Sequence, residues 1–276
     1  MKPRPFDYVR PDTVDEVLAL LAEYGDDARI LAGGQSLIPM LNLRIVEASV
    51  LIDISRLPAL GGIADRGDAI EIGAAVTQNR LMAWPQLKAR LPLLAAALPF
   101  VGHFQTRNRG TVCGSIAHAD PSSELPLSLA VLGGSVVLRS QERGERVLAA
   151  DAFQKEMLTT AREPDELILA VRFPVIEGKG VAFQEVARRH GDFAIIAVAA
   201  TADTRGAAQL GVGGMAGRPM VRPIAFTSAP MLAEQVKGWA EELEGYEDLH
   251  ASAAMRRDIF RKLAPRVIEE AVRCAA

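Results

Sequence analysis

Two short stretches of small residues constrain this chain more than anything else in it. One is Ala32-Gly33-Gly34-Gln35-Ser36-Leu37, entered from the strand-like run Arg29-Ile30-Leu31-Ala32. The other is Thr111-Val112-Cys113-Gly114-Ser115, introduced by Arg107-Asn108-Arg109-Gly110 and continued by His118-Ala119-Asp120-Pro121-Ser122-Ser123-Glu124. Small residues let a backbone come close to a ligand, and consecutive unpaired N–H groups form a concave anion site. Two such turns suit one ligand with a diphosphate gripped from two sides. A helix starting after the first turn would add a partial positive charge of about half a unit.

Each part also has an ordinary reading. Gly33-Gly34 suits any strand-to-helix turn. Thr111 and Ser115 suit local turns that bond their own backbone. Arg107 and Arg109 suit solvated surface charge. Asp120 and Glu124 could accept from ribose hydroxyls, or could cap the apolar helix that Ser122-Ser123-Glu124 opens and that runs through Leu132.

Composition removes several classes of function. With 276 residues, 49% of them hydrophobic, the chain can bury a large core in one domain or two. A net charge of −3 gives no reason to expect nucleic acid or an anionic membrane as partner. No apolar run reaches the roughly 18 residues of a membrane span. The start, Met1-Lys2-Pro3-Arg4-Pro5-Phe6, carries no apolar stretch after its charges, which predicts no signal peptide and a cytoplasmic protein. Two cysteines, Cys113 and Cys274, are too few for an iron–sulfur cluster. The four histidines are scattered, which disfavours zinc.

The remaining elements follow from periodicity and breakers. Thr13-Val14-Asp15-Glu16 is a capping box for an amphipathic helix from Val14 to Tyr24, stopped by Gly25. Gln35 to Leu43 reads as helical, interrupted by Pro39, and Val50 to Ile54 as a buried strand. Gly61 to Gly73 reads as a hairpin turning at Asp65-Arg66-Gly67-Asp68. Thr77 to Leu87 and Pro92 to Leu98 read as helices. Ser135 to Leu138 and Arg146 to Leu148 are strands. Glu166 to Phe173 is another, with Leu167, Leu169, Val171 and Phe173 on one face. Glu177-Gly178-Lys179-Gly180 looks like a linker. Beyond it, Val181 to Val186, Ala194 to Ala202 and Ala207 to Val212 predict three antiparallel strands. Ala229 to Leu243 and Ala251 to Val272 predict helices, the second kinked or split at Pro265. Gly211-Val212-Gly213-Gly214-Met215-Ala216 matches the dinucleotide fingerprint G-x-G-x-x-A in form. Gly217, Pro219 and Pro223 follow it, so no helix opens and Rossmann binding is not expected.

The ordered combination of the two turns, the Asn108-Arg109-Gly110 lead-in, the His118-Ala119-Asp120-Pro121 tail and Arg189-His190-Gly191-Asp192-Phe193-Ala194 resembles the FAD-binding medium subunit of the molybdenum hydroxylases. That family includes the carbon monoxide dehydrogenase medium chain and the xanthine dehydrogenase FAD-binding subunit. The resemblance implies an α+β chain. Its two-part FAD-binding domain, of vanillyl-alcohol-oxidase/PCMH type, would span residues 1–176, with subdomains of about 1–57 and 58–176. A smaller α+β C-terminal domain, with the three-stranded antiparallel sheet and the helices, would span 177–276.

It also implies FAD as cofactor, with molybdopterin on a large partner subunit and 2Fe-2S clusters on a small one, in a dimer of heterotrimers. Electrons would pass from the iron–sulfur clusters through FAD to an external acceptor. Carried over residue by residue, Ala32, Gly33, Gly34, Gln35, Ser36 and Leu37 hold one side of the diphosphate, and Thr111, Val112, Cys113, Gly114 and Ser115 the other. Val101, Gly102, Ala117 and Glu124 line the adenosine arm. Ile168, Gln184 and Phe193 lie near the ring system. Cys113 replaces a glycine usual in the family, and Gln184 stands where some relatives carry lysine. A stand-alone flavin oxidoreductase and a flavin-free scaffold subunit stay open as alternatives.

Overall fold

In the computed structural model, which describes residues 1–275, four sheets and a set of mostly short helices surround two hydrophobic cores. The first sheet is parallel. Asp7–Val9 and Ala28–Leu31 flank Val50–Asp53, whose Val50, Leu51 and Ile52 are buried as a central strand requires. Asp7–Val9 escapes a pattern reading because it is short, mostly exposed and set among Pro3, Pro5 and Pro11. The helix Val14–Tyr24 has the expected bounds and buries Val17, Leu18 and Leu21. Thr13 Oγ1 accepts from the Glu16 N–H, and the Glu16 carboxylate accepts from the Asp12 N–H. The capping box therefore closes one residue earlier than the usual motif.

The second sheet is antiparallel, in the order Ile63–Asp65, Ala69–Gly73, Leu167–Pro174, Ser135–Ser140, Gly144–Ala149. The expected hairpin at Asp65–Asp68 is there. The expected alternation along Leu167–Pro174 is not kept. Its register against Ser135–Ser140 shifts between Ile168 and Ala170. Leu167 and Ile168 are consequently both buried, as a bulge that re-aims one side chain produces. The single helix expected over Thr77 to Leu87 is two short ones, Gln78–Met82 and Leu87–Arg90, separated around Pro85.

The third sheet contains the three expected antiparallel strands, Gly180–Val186, Ile196–Ala202 and Ala207–Gly213, and adds a fourth, Met220–Ala225. Pro223 hides the fourth strand from a sequence reading. It pairs with Gln209 on the outermost strand, where a missing N–H costs nothing to the ladder. Helices Ala229–Glu242 and Ala253–Ala275 complete the chain. Pro265 does not split the second, contrary to expectation. Burial of Ala264, Val267, Ile268 and Ala271 on the same helix outweighs the lost amide bond.

Every residue of Ile196–Ala202 is buried. Ala197 and Ala199 belong to the first core, with the helix Glu124–Leu132. Ile196, Val198, Ala200 and Ala202 belong to the second, with the C-terminal helix. The fingerprint-like Gly211 and Gly213 serve this layering. A Cβ on Gly211 would drive into Val131, and one on Gly213 would sit 3.0 Å from the Pro121 carbonyl. Glycine here lets a helix lie flush on a sheet. No helix among the described residues is long and apolar enough to cross a membrane.

Candidate functional site

The two glycine segments meet. Strand Ala28–Leu31 ends where its Leu31 carbonyl accepts from the Ile54 N–H, and the chain turns through Gly33 and Gly34 into the helix Leu37–Asn42. A Cβ on Gly33 would collide with the Arg109 carbonyl and come within 2.7 Å of Gly110 Cα. Only glycine allows that approach. Gly34 has φ +70°, a second demand for glycine. Within the described residues, none of the backbone N–H groups of Gly33, Gly34, Gln35 and Ser36 has an acceptor.

The second segment is not a free turn but the start of the helix Val112–His118. Thr111 is buried, and its Oγ1 accepts from the Gly114 N–H at 2.9 Å as the N-cap. The ordinary reading of Thr111 therefore accounts for its hydroxyl. Val112 is fully buried and donates its N–H to Val76 O at 3.0 Å. This corrects its expected place on the diphosphate.

Both segments line one cavity of about 680 Å³, within the ordinary range of ligand sites. All the expected residues of the first turn line it: Ala32, Gly33, Gly34, Gln35, Ser36 and Leu37. So do Thr111, Cys113, Gly114, Ser115, Ala117 and Glu124, together with Val101, Gly102, Ile168 and Phe193. Gln184 does not. It donates to the Glu270 carboxylate at 2.8 Å, on the C-terminal helix. Its alternating position on Gly180–Val186 turns it from the cavity toward that helix, so its expected place near the ring system has no support in the geometry.

Cys113 sits in a helix without positive φ, so no strain attends the loss of glycine there. Its Sγ lies 3.3 Å from Ile72 O, and burial pushes the thiol up to about 12. It is a packed, inert group, not a reactive one.

The walls carry charge that the sequence reading did not assign. Arg29 and Arg162 both line the cavity. Arg162 Nη1 donates to the carbonyls of Glu163, Pro164 and Glu166. Burial, and then the neighbouring Arg29, lower Arg162 from its ordinary value. Arg29 Nη1 donates to the Asp26 and Ala28 carbonyls. Arg29 was legible, being next to the first turn. Arg162 was not, because it arrives from a hairpin (Gln154–Glu156 with Thr159–Thr160) that has no local signal.

Glu124 also lines the cavity, and Glu185 lies close to it outside the lining. Glu124 is 4% exposed, and burial, with Asp120 nearby, pushes its carboxyl up to about 7. Burial, and then Glu124, push Glu185 up to about 8. Glu185 Oε2 is buried with no hydrogen-bond partner among the described residues. A carboxyl raised in the folded state contributes stability below its unfolded value, near 4.5, and loses it as pH rises through the folded value. The cofactor-free chain should therefore melt at progressively lower temperature between about pH 5 and pH 9. Glu185→Gln should flatten that fall, raising the melting temperature by several degrees on the alkaline side and leaving the acid side unchanged. Parallel melting curves across the whole range would contradict the assignment.

Residues 4–176 match the family described as the FAD binding domain in molybdopterin dehydrogenase. The chain is 36% identical over 285 aligned positions to the 6-hydroxypseudooxynicotine dehydrogenase complex subunit alpha of Paenarthrobacter nicotinovorans, covering 99% of this chain and 96% of that one. It is 36% identical to the carbon monoxide dehydrogenase medium chain of Afipia carboxidovorans, covering 96% and 99%. The crystal structure of quinoline 2-oxidoreductase from Pseudomonas putida 86 superposes with a TM-score of 0.93 at 33% identity, over 100% of this chain and 99% of the other. With its glycine segments joined into one cleft, the chain belongs to the FAD-binding subunits of the molybdenum hydroxylase-type dehydrogenases.

Proposed function

We propose that this chain carries FAD as the electron-transfer subunit of a heteromeric molybdenum-containing dehydrogenase. Electrons from a substrate oxidised at molybdopterin on a large subunit pass through 2Fe-2S clusters on a small one. They reach FAD here and leave to an external acceptor. The assembly is a dimer of heterotrimers in the cytoplasm, and residues 177–276 form the part that covers the flavin and meets partners.

The observation that carries this reading is the contact of Gly33 with Arg109–Gly110, which joins both glycine segments in one cleft. FAD fits what the cleft offers. Four N–H groups, on Gly33 to Ser36, have no acceptor among the described residues and would serve a diphosphate, each charge-assisted bond contributing roughly 1.5–3 kcal/mol. Ser115 offers a hydroxyl on the diphosphate side and Glu124 a carboxyl on the adenosine side. Ile168, turned inward by the bulge, and Phe193, 61% exposed at the cavity, offer apolar faces for the ring. The flavin, when bound, supplies the hydride and electron chemistry. The chain holds it, orients it and limits its access to water.

The test is purification from the native host with whatever copurifies, followed by an absorbance spectrum and identification of acid-released flavin. Oxidised-flavin bands, released FAD and two further subunits are expected. A colourless protein that also rejects added FAD would defeat the reading in favour of a scaffold. A coloured chain that copurifies alone would favour a stand-alone oxidoreductase.

A further inference from the structure

We propose that Arg29 and Arg162 form the pole of the cleft against which negative charge on the reduced flavin is held, and that Arg162 is the residue of this chain that sets the flavin's reduction potential. The inference rests on the reading that FAD occupies the cleft.

Both guanidinium groups line the cavity, and each is anchored through one terminal nitrogen to backbone carbonyls. The anchoring leaves the other N–H groups of each fork without acceptors among the described residues. The acids around them are already engaged. Glu166 is bound bidentately by Arg146 at 2.6 and 2.7 Å, and Asp165 is bound by Arg143 at 2.6 Å. Asp26 faces solvent from an exposed turn. Two cations thus line the cavity, and the Glu166 carboxylate that lines it beside them is held by Arg146.

Glu166 also ties this pole to the ring end of the cleft. Arg162 Nη1 bonds the Glu166 carbonyl at 2.8 Å, two residues before Ile168, which the bulge turns inward. The Glu124 carboxyl also lines the cavity, and neither it nor Glu185 is among the groups that act on Arg162. The cleft therefore carries the Arg29 and Arg162 guanidinium groups in one place and the Glu124 carboxyl in another. A dinucleotide fits it in one direction: ribose hydroxyls toward carboxylate acceptors, and the flavin toward the arginines. Uptake of two electrons and one proton leaves a flavin ring with one more negative charge. A fixed cation in a partly desolvated site favours that form.

The test uses the FAD-loaded native assembly and reads the flavin midpoint potential by spectroelectrochemistry, alongside the affinity for oxidised FAD. Arg162→Met should weaken reduced relative to oxidised FAD about a hundredfold, a fall of about 60 mV at 29.6 mV per tenfold for a two-electron couple. Affinity for oxidised FAD should change less than about threefold. Arg162→Lys should keep most of the wild-type potential, since charge and not fork geometry is what acts. Arg29→Met should move the potential in the same direction by less, and it serves if Arg162→Met fails to assemble. An unchanged midpoint in a variant that retains FAD would overturn the inference, as would a loss of oxidised and reduced affinity in equal measure. Wild-type protein that binds no FAD would instead overturn the function proposed above.

Discussion

Gly33→Ala is expected to empty the cleft. The added methyl would fall on the Arg109 carbonyl and within 2.7 Å of Gly110 Cα, both backbone atoms that no rotamer change can move aside. Relief requires the first turn and the segment before Thr111 to separate. Forced overpacking of this kind costs typically 1–3 kcal/mol, and for a chain of this size about 2–4 °C of melting temperature per kcal/mol. The larger consequence is for the ligand. The N–H groups of residues 33–36, without acceptors among the described residues, keep their arrangement only while the turn rests on Arg109–Gly110. Bound FAD per chain should fall below about a tenth of wild type, as lost charge-assisted bonds would produce. Flavin content and differential scanning fluorimetry on the same preparation would check both effects. A variant with full flavin content would show that the contact is incidental.

Arg256→Ala should destabilise the protein more than any change at the cleft. Arg256 is 1% exposed on the C-terminal helix. It donates to Ile195 O at 2.5 Å, to Gly214 O at 3.0 Å and to the Asp248 carboxylate at 2.7 Å. Its guanidinium lies 4.1 Å from the Tyr246 ring centroid. One side chain thus closes two sheet-end carbonyls and anchors the loop between the last two helices. Removing it leaves the buried Ile195 and Gly214 carbonyls unpaired at about 1–3 kcal/mol each, and adds the cavity left by a large buried side chain. A drop of about 10 °C or more in melting temperature follows. Lysine should not rescue it, since no ammonium reproduces the planar fork or the stacking. A drop of only a few degrees for Arg256→Ala would show that water or a shifted loop replaces these bonds. The Tyr246 hydroxyl also lies 3.1 Å from Ser122 Oγ, so loss of this anchor reaches the turn ahead of Glu124.

The cleft was legible in the sequence to the extent that its chemistry is local. The first turn declares itself through adjacent glycines at a strand end, and that strand and the capped helix Val14–Tyr24 carry strong periodicity. The second segment announced its small residues but not their use. Nothing local shows that Val112 gives its N–H to Val76, or that Thr111 caps a helix. Gln184 lies next to residues that do pack toward the first core, and only the parity of the strand sends it to Glu270 instead. Arg162 belongs to the same class of unreadable residue. It reaches the cavity through a two-stranded hairpin too short and too polar to carry a pattern. The fourth strand was masked by proline, and the intact last helix shows the reverse case, in which burial overrides a breaker.

The strand Ile196–Ala202 has a consequence beyond its place in the third sheet. Alternate side chains feed two different cores, and its first-core positions are alanines, leaving little slack between the helices on either side. A seam between the halves would have to part side chains that this one strand commits to both cores. The polypeptide therefore lacks a place where one half can come loose while the other persists. It should be kept or degraded as a single piece, with the grip on its cofactor failing only when the whole chain does.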